Sequence, residues 1–270
     1  MDPKLEKLKQ IIGRFTSAVV AFSGGVDSTF LARVAREVLG DRVLLVTATS
    51  ATYPESELDE AKKLAARIGA THRIIVSEEI DIPGFSDNPP DRCYYCKREL
   101  FMKIRGIAEC EGYQAVFDGS NADDLSDFRP GRRALSELGV ISPLVEAGLT
   151  KKEIRALSAE MGLPTASKGS FACLASRFPY GDSITKEKLA RVDRAEQTLR
   201  AMGFNQFRVR SHGDLARIEI EPADLDNAWQ RRADISVACK KAGFVFVSLD
   251  LEGYRTGAMN EALLNENSKS

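Results

Sequence analysis

Residues 17–22 (SAVVAF) form an almost wholly apolar run that ends in Ser23-Gly24-Gly25-Val26-Asp27-Ser28, and Phe30, Leu31, Val34, Ala35, Val38 and Leu39 then recur at helical spacing. A strand buried on both faces of a parallel sheet reads as such a run. A glycine turn between it and an amphipathic helix makes a strand–loop–helix unit whose helix N-terminus faces the loop. Adjacent glycines let backbone approach an anion closely, and the helix end adds unpaired N–H groups and a positive dipole. Ser23 and Ser28 offer hydroxyls, and Asp27 suits a hydrated Mg²⁺ on bound phosphates. No lysine follows in the GxxxxGK[ST] arrangement and GxGxxG is absent, so neither a Walker loop nor a dinucleotide fingerprint is present.

The same grammar continues downstream. Val43–Thr49 and residues 72–77 read as strands, with a helix over Glu55–Ile68 between them. Alternation of this kind implies right-handed crossovers and a parallel sheet. Residues 81–92, with three prolines and a glycine, read as a surface loop, and 97–110 as a helix. A short strand at 115–118 runs into Gly119-Ser120-Asn121-Ala122-Asp123-Asp124, expected at the carboxyl edge of the sheet where ligands gather. There Asn121 suits a nucleotide and Asp123 or Asp124 a Mg²⁺; the alternative is an Asx-rich turn capping a helix. Thr150 with Glu153 fits a capping box for a helix through 161.

Residues 164–182 read as a functional loop and junction. Beyond them the pattern changes to α+β: a helix over 186–202, alternating strands at 207–211 and 216–221, a helix over 223–241 and an apolar strand at 244–249. The expected organisation is a domain over 1–167, a catalytic loop over 168–182, a smaller α+β domain over 183–264 and a polar tail over 265–270.

Composition narrows the function. Among 270 residues, 38 Lys+Arg against 39 Asp+Glu leave a net charge of −1, which argues against a nucleic-acid partner held by a broad basic footprint. Hydrophobic residues at 43 % suffice for a core. No apolar run reaches the roughly 18 residues of a membrane helix, and the charged start MDPKLEKLKQ carries no export signal, so a cytoplasmic location is expected.

Five cysteines in such a chain point away from disulfides and toward metal, cluster or thiol chemistry. Cys93 and Cys96 form CYYC at the end of the proline-rich loop, before a helix, and Cys173 lies in the second functional loop. Cys110 and Cys239 fall on helical stripes and read as structural thiols. Zinc lacks a fourth ligand near these loops, and a redox dithiol leaves Cys173 idle. Three thiolates can hold a [4Fe–4S] cluster with one iron open; alternatively Cys173 is a nucleophile with Lys168 or Arg177 favouring its thiolate. The cluster reading employs all three loop cysteines.

SGGVDS in this setting resembles the PP-loop of the ATP pyrophosphatases. With DGSNADD, NPPDRCYYCK and SFACLASRFPYG in order, nearly the whole chain resembles the LarE sulfur transferases. The resemblance implies a HUP-like parallel-sheet domain followed by a smaller α+β domain, ATP and Mg²⁺ as requirements, and homo-oligomers. It implies adenylation of carboxylates of pyridinium-3,5-biscarboxylic acid mononucleotide and sulfur insertion for a nickel-pincer cofactor. Ser23, Gly24, Gly25, Asp27, Ser28, Asn121 and Lys97 would hold ATP, with Asp27 and Asp123 on Mg²⁺. Arg177 and Arg208 would contact substrate, and Glu196 and Glu219 a second metal; the alternative for the strand residues is a solvated sheet face. Cys173 is the sulfur donor in one subtype, whereas CYYC marks the cluster subtype, in which Cys93, Cys96 and Cys173 are ligands. A tRNA thiolase, an amidating NAD or GMP synthetase and a nucleotide-gated sensor are the rival expectations.

Overall fold

The computed structural model describes residues 2–125, 130–169, 172–255 and 258. The chain divides into two compact units, residues 1–85 with 90–171 and residues 86–89 with 172–270.

The first unit runs α1 (Pro3–Ile12), β1 (Ala18–Ala21), α2 (Val26–Leu39), β2 (Val43–Thr49), α3 (Glu55–Ile68), β3 (Thr71–Val76), α4 (Arg92–Glu111), β4 (Ala115–Phe117), α5 (Gly131–Glu137), α6 (Pro143–Ala147) and α7 (Lys151–Glu160). Its four strands pair in parallel in the order β3-β2-β1-β4. Side chains alternate between the two faces. Val20, Val43, Leu45 and Phe117 pack with Leu8, Phe30 and Leu31 on one side. Val19, Leu44, Val46 and Val116 pack with Phe101, Ile104 and Leu135 on the other. Covering both faces is what makes the strand sequences continuously apolar. Because β2 and β4 flank β1 on opposite sides, the chain reverses its direction of travel across the sheet at β1. The carboxyl ends of β1 and β4 therefore open a crevice, the usual ligand position in an open α/β sheet.

Helix ends follow the sequence. Thr150 accepts a hydrogen bond from Glu153 N, and Glu153 accepts one from Thr150 N at 2.8 Å, completing the capping box of α7. Replacing Thr150 by Ala should lower stability by about 1 kcal/mol, read as a shift of the denaturant midpoint without a change in slope. At α4 the structure corrects the sequence expectation. The helix begins at Arg92, so CYYC forms its first turn instead of preceding it. Tyr94 anchors this turn, with its hydroxyl on Glu137 at 2.7 Å and its ring under Arg133.

The second unit contains α8 (Lys186–Ala201), β5 (Phe207–His212), β6 (Leu215–Ile220), α9 (Leu225–Gln230), α10 (Arg232–Ala242) and β7 (Phe246–Leu249). β5 and β6 pair antiparallel and β6 and β7 parallel. Residues 86–89 join it through the sequence-distant bonds of Asn88 O with Gly181 N (3.0 Å) and Ser86 O with Ile184 N (2.8 Å). Two expectations change here. The helix over 223–241 breaks at Arg231, whose side chain is tied to the Met202 carbonyl at 2.6 Å. The last apolar strand is an edge, with Phe246 largely exposed. Residues 265–270 lie outside the described residues. Among the described residues no helix is long and apolar enough to cross a membrane.

Candidate functional site

The glycine loop leaves the end of β1 and feeds α2, whose N-cap is Gly25. Gly24 sits at φ +67°, and a Cβ there would lie 3.2 Å from the backbone of Ala61 on α3. Any other residue would be strained twice, by conformation and by collision. Ser23 Oγ and Ser28 Oγ are 3.1 Å apart, so the two hydroxyls form a pair at the mouth of α2. Behind them, β4 delivers Asp118, which accepts hydrogen bonds from the Ser120 and Ser142 hydroxyls. A Cβ on Gly119 would stand 3.2 Å from Ser28 N, so this glycine permits the two loops to touch.

Together these loops line a cleft of about 570 Å³ that also takes in Tyr53, Lys97, Asn121, Asp123, Asp124 and Lys151. Six residues expected at the nucleotide site are thus brought together: Ser23, Gly25, Asp27, Ser28, Asn121 and Lys97. Gly24 shapes the loop from behind. The Asx turn that the sequence offered as an alternative is present: Asn121 Oδ1 accepts from Asp123 N at 3.0 Å and Asp124 Oδ2 from Asn121 N at 3.0 Å. Asp123 also accepts from Lys151 N at 2.8 Å, so it helps cap α7 while facing the cleft.

The cleft gathers charges of both signs. Lys151 Nζ lies 2.5 Å from Asp27 Oδ2. Asp27 Oδ1 is buried and receives no hydrogen bond among the described residues. Burial pushes the Asp27 carboxyl above its ordinary range, against the pull of Lys151. An orphaned carboxylate oxygen beside a phosphate-sized cradle fits a hard divalent cation such as Mg²⁺. Lys97 has no hydrogen-bond or ion-pair partner among the described residues, which suits an anion.

Sequence reasoning missed Lys151 and Tyr53. Lys151 is legible only as the first residue of a helix, and its place beside Asp27 depends on α7 packing against α2. Tyr53 donates to the Ser23 carbonyl at 2.8 Å from the turn after β2, and nothing in its neighbours signals that. Lys168, weighed as a partner for Cys173, instead binds Glu57 and Glu60 at 2.7 Å each and the Gly24 carbonyl at 3.2 Å.

The cysteines separate by environment. Cys93 is exposed and Cys96 partly so, one helical turn apart at the start of α4. Cys173, partly exposed, belongs to the second unit and caps the short 3-10 turn Leu174–Arg177. Its carbonyl accepts from Ser176 N at 3.0 Å and Ser176 Oγ at 2.8 Å. Cys239 is fully buried and its thiol is pushed up to about 11, an inert core residue. Cys110, read as structural, is exposed. Among the described residues no three His, Cys, Asp or Glu side chains form a group that could hold a metal ion.

In the second unit the strand arginines are not a solvated face. Arg177 is 1 % exposed and makes a two-pronged pair with Glu196 at 2.8 Å for both contacts, with further bonds to the Ala172 and Cys173 carbonyls. Burial alone would raise the Glu196 carboxyl, yet Arg177 holds it below its ordinary range. Arg210 and Arg217 share Glu219, at 2.7 and 2.9 Å. Burial, with Arg177 close by, brings Arg208 down to about 10, and its guanidinium stacks over Tyr254. Glu196 is thus paired with Arg177, and Glu219 with Arg210 and Arg217, so both carboxylates already face arginines, and Arg208 feels the charges of Arg177, Glu196 and Arg210.

Similarity to known proteins agrees with this anatomy. The NAD synthase family model matches residues 6–86, which carry the glycine loop. An uncharacterized protein of Synechocystis is 44 % identical over 97 % of this chain and 99 % of its own length. The pyridinium-3,5-bisthiocarboxylic acid mononucleotide synthase of Lactiplantibacillus plantarum is 39 % identical over 90 % of this chain and 89 % of its own. An uncharacterized protein of Methanocaldococcus jannaschii is 32 % identical over 88 % of this chain and 90 % of its own. With a PP-loop cleft at the switch point of a parallel sheet and similarity that runs almost end to end, the chain belongs to the LarE family of PP-loop proteins, the family of that synthase.

Proposed function

We propose that this chain is an ATP-dependent sulfur transferase that converts the carboxylates of pyridinium-3,5-biscarboxylic acid mononucleotide into thiocarboxylates for a nickel-pincer cofactor. The observation that carries the reading is the single cleft in which the glycine loop, Asp27, Lys97 and Lys151 converge, in a chain so similar to the named synthase. A substrate carboxylate oxygen attacks the α-phosphorus of ATP, the bond to the diphosphate breaks, and an acyl adenylate forms. A sulfur nucleophile then attacks the acyl carbon, AMP leaves, and the other carboxylate follows.

This chain's residues supply binding and electrostatics. The N–H groups at the start of α2 and the Ser23 and Ser28 hydroxyls receive the departing diphosphate. Lys97 and Lys151 offset its growing charge, and Asp27, aided by Asp123, would hold Mg²⁺. Arg208 would meet the anionic substrate, since planar guanidinium groups match both phosphate and carboxylate. Arg177, expected from the sequence as a second substrate contact, is 1 % exposed with its nitrogens held by Glu196 and two carbonyls, so it serves to fix the charges around Arg208. Glu196 and Glu219 would serve a second metal if their arginine pairs opened.

Cys93 and Cys96, a turn apart on one helix, and Cys173 all lie outside the core, and thiolates are the ligands an iron–sulfur cluster takes. A [4Fe–4S] cluster held by Cys93, Cys96 and Cys173 would supply an open iron to carry sulfide. The family resemblance extends the proposal to a homo-oligomer working in the cytoplasm.

Incubating the protein with ATP, Mg²⁺ and the pyridinium dicarboxylate under anaerobic reconstitution should release AMP and pyrophosphate and replace oxygen by sulfur in the product mass. Absence of any thiolated product would overturn the assignment. Iron and acid-labile sulfide should be present in reconstituted wild type and lost in Cys93→Ala; retention in the variant would remove Cys93 from the ligand set.

A further inference from the structure

Gly131 opens α5, and its φ lies outside the left-handed region, so the backbone there accepts any L residue. Helix propensity disfavours glycine against alanine. The reason for glycine is therefore space. A Cβ at 131 would stand 2.6 Å from Lys97 Cδ, 3.2 Å from Lys97 Cε and 3.2 Å from the Cys93 carbonyl oxygen. Carbon atoms at ease lie about 3.5–4.0 Å apart, so the lysine stem occupies the room a methyl group would need. The Cys93 carbonyl belongs to the α4 backbone and cannot retreat, whereas a lysine stem can. Lys97 meanwhile lines the cleft and has no partner among the described residues.

We propose that Gly131 is a positioning residue: its missing side chain is the channel along which Lys97 runs from α4 into the nucleotide cleft, and a methyl group there would divert the ammonium from the ATP phosphates. This rests on the ATP reading of the cleft. A glycine that only relieved packing would affect stability; this one acts on ATP affinity through Lys97 and leaves the fold intact.

The test is calorimetric binding of Mg·ATP to the full chain, with thermal melting alongside. Lys97→Ala should weaken ATP by about tenfold to a hundredfold, the range for a hydrogen bond to a charged group. Gly131→Ala should weaken ATP at least threefold with its melting temperature held. In the Lys97→Ala background, where the stem is gone, adding Gly131→Ala should leave ATP affinity unchanged; such non-additivity is the signature of residues in contact. Gly106→Ala, on α4 with no atom within 4 Å of its Cβ, is the control and should keep wild-type affinity.

Unchanged affinity in Gly131→Ala beside a weakened Lys97→Ala overturns the positioning role and leaves the ATP reading standing. An equal loss from Gly131→Ala in both backgrounds overturns the route through Lys97. Wild-type affinity in Lys97→Ala overturns the inference together with the role of that lysine, and wild type that binds no ATP overturns the reading of the cleft. If Gly131→Ala unfolds, recovery of the fold in the double variant still identifies the collision.

Discussion

Asp27→Asn is expected to slow ATP-driven pyrophosphate release by about a hundredfold to a thousandfold, the scale at which removal of a transition-state charge contact acts. Asparagine keeps the shape and leaves Lys151 a neutral oxygen, but it lacks the anionic charge with which the orphaned Oδ1 would bind a metal. The variant should fold, and its stability at neutral pH should match or exceed that of the wild type. The sign follows from the carboxyl's upward shift from 3.8. Between the ordinary and the raised value the native protein holds the proton more tightly than the unfolded chain, so stability falls as pH rises through that window. At neutral pH the charged Asp27 is a stability cost that asparagine removes. Turnover runs the other way, since it needs the carboxylate. In kcat/KM for Mg·ATP, which reports the free protein, wild-type pyrophosphate release should begin to fall on acidification at a pH above the ordinary aspartate range, and the asparagine variant should lack that limb. Wild-type rates in Asp27→Asn would remove this residue from the metal site.

Glu196→Ala should destabilise the second unit by about 3–5 kcal/mol, because it leaves Arg177 buried without its counter-charge. The Val209 amide loses its acceptor in the same step. Arg177→Met combined with Glu196→Ala should recover much of the loss, since removing both charges ends the desolvation cost that a single substitution exposes. Chemical denaturation of the four proteins of the cycle measures this directly. In the wild type the carboxyl is depressed, so its contribution is present above the unfolded-state value and is lost as pH falls through the lowered one. A single variant as stable as wild type would mean that water reaches this pair. If Glu196→Gln keeps the fold yet loses thiolation, the network serves substrate as well as stability.

Much of the first unit is legible in one dimension. The run 17–22 names a buried strand because both faces of β1 are covered, and the capping box at Thr150 forms as written because it involves only neighbours. SGGVDS names an anion loop because its glycines, serines and helix start are contiguous. CYYC reads as the end of a loop because Pro89 and Pro90 precede it and apolar residues at helical spacing begin only at Leu100, whereas α4 starts at Arg92.

The rest needed three dimensions. Alternating Arg and Glu on β5 and β6 satisfies equally well a wet outer face and a buried charge network, since strand periodicity reports only that residues share a side. Burial came from elements distant in the chain: the turn at Leu174–Arg177 and Glu196 of α8, both bonded to β5. Sequence alone determined the strand–loop–helix unit and the anion-binding chemistry of its loop, because each is carried by contiguous residues, and the family, because four short motifs along the chain each carry their own signature. Only tertiary structure decided that Lys151 meets Asp27 across 124 positions, that Gly131 makes way for Lys97 and that Arg177 is locked to Glu196. Packing energy depends on which surfaces meet, and no local pattern encodes that.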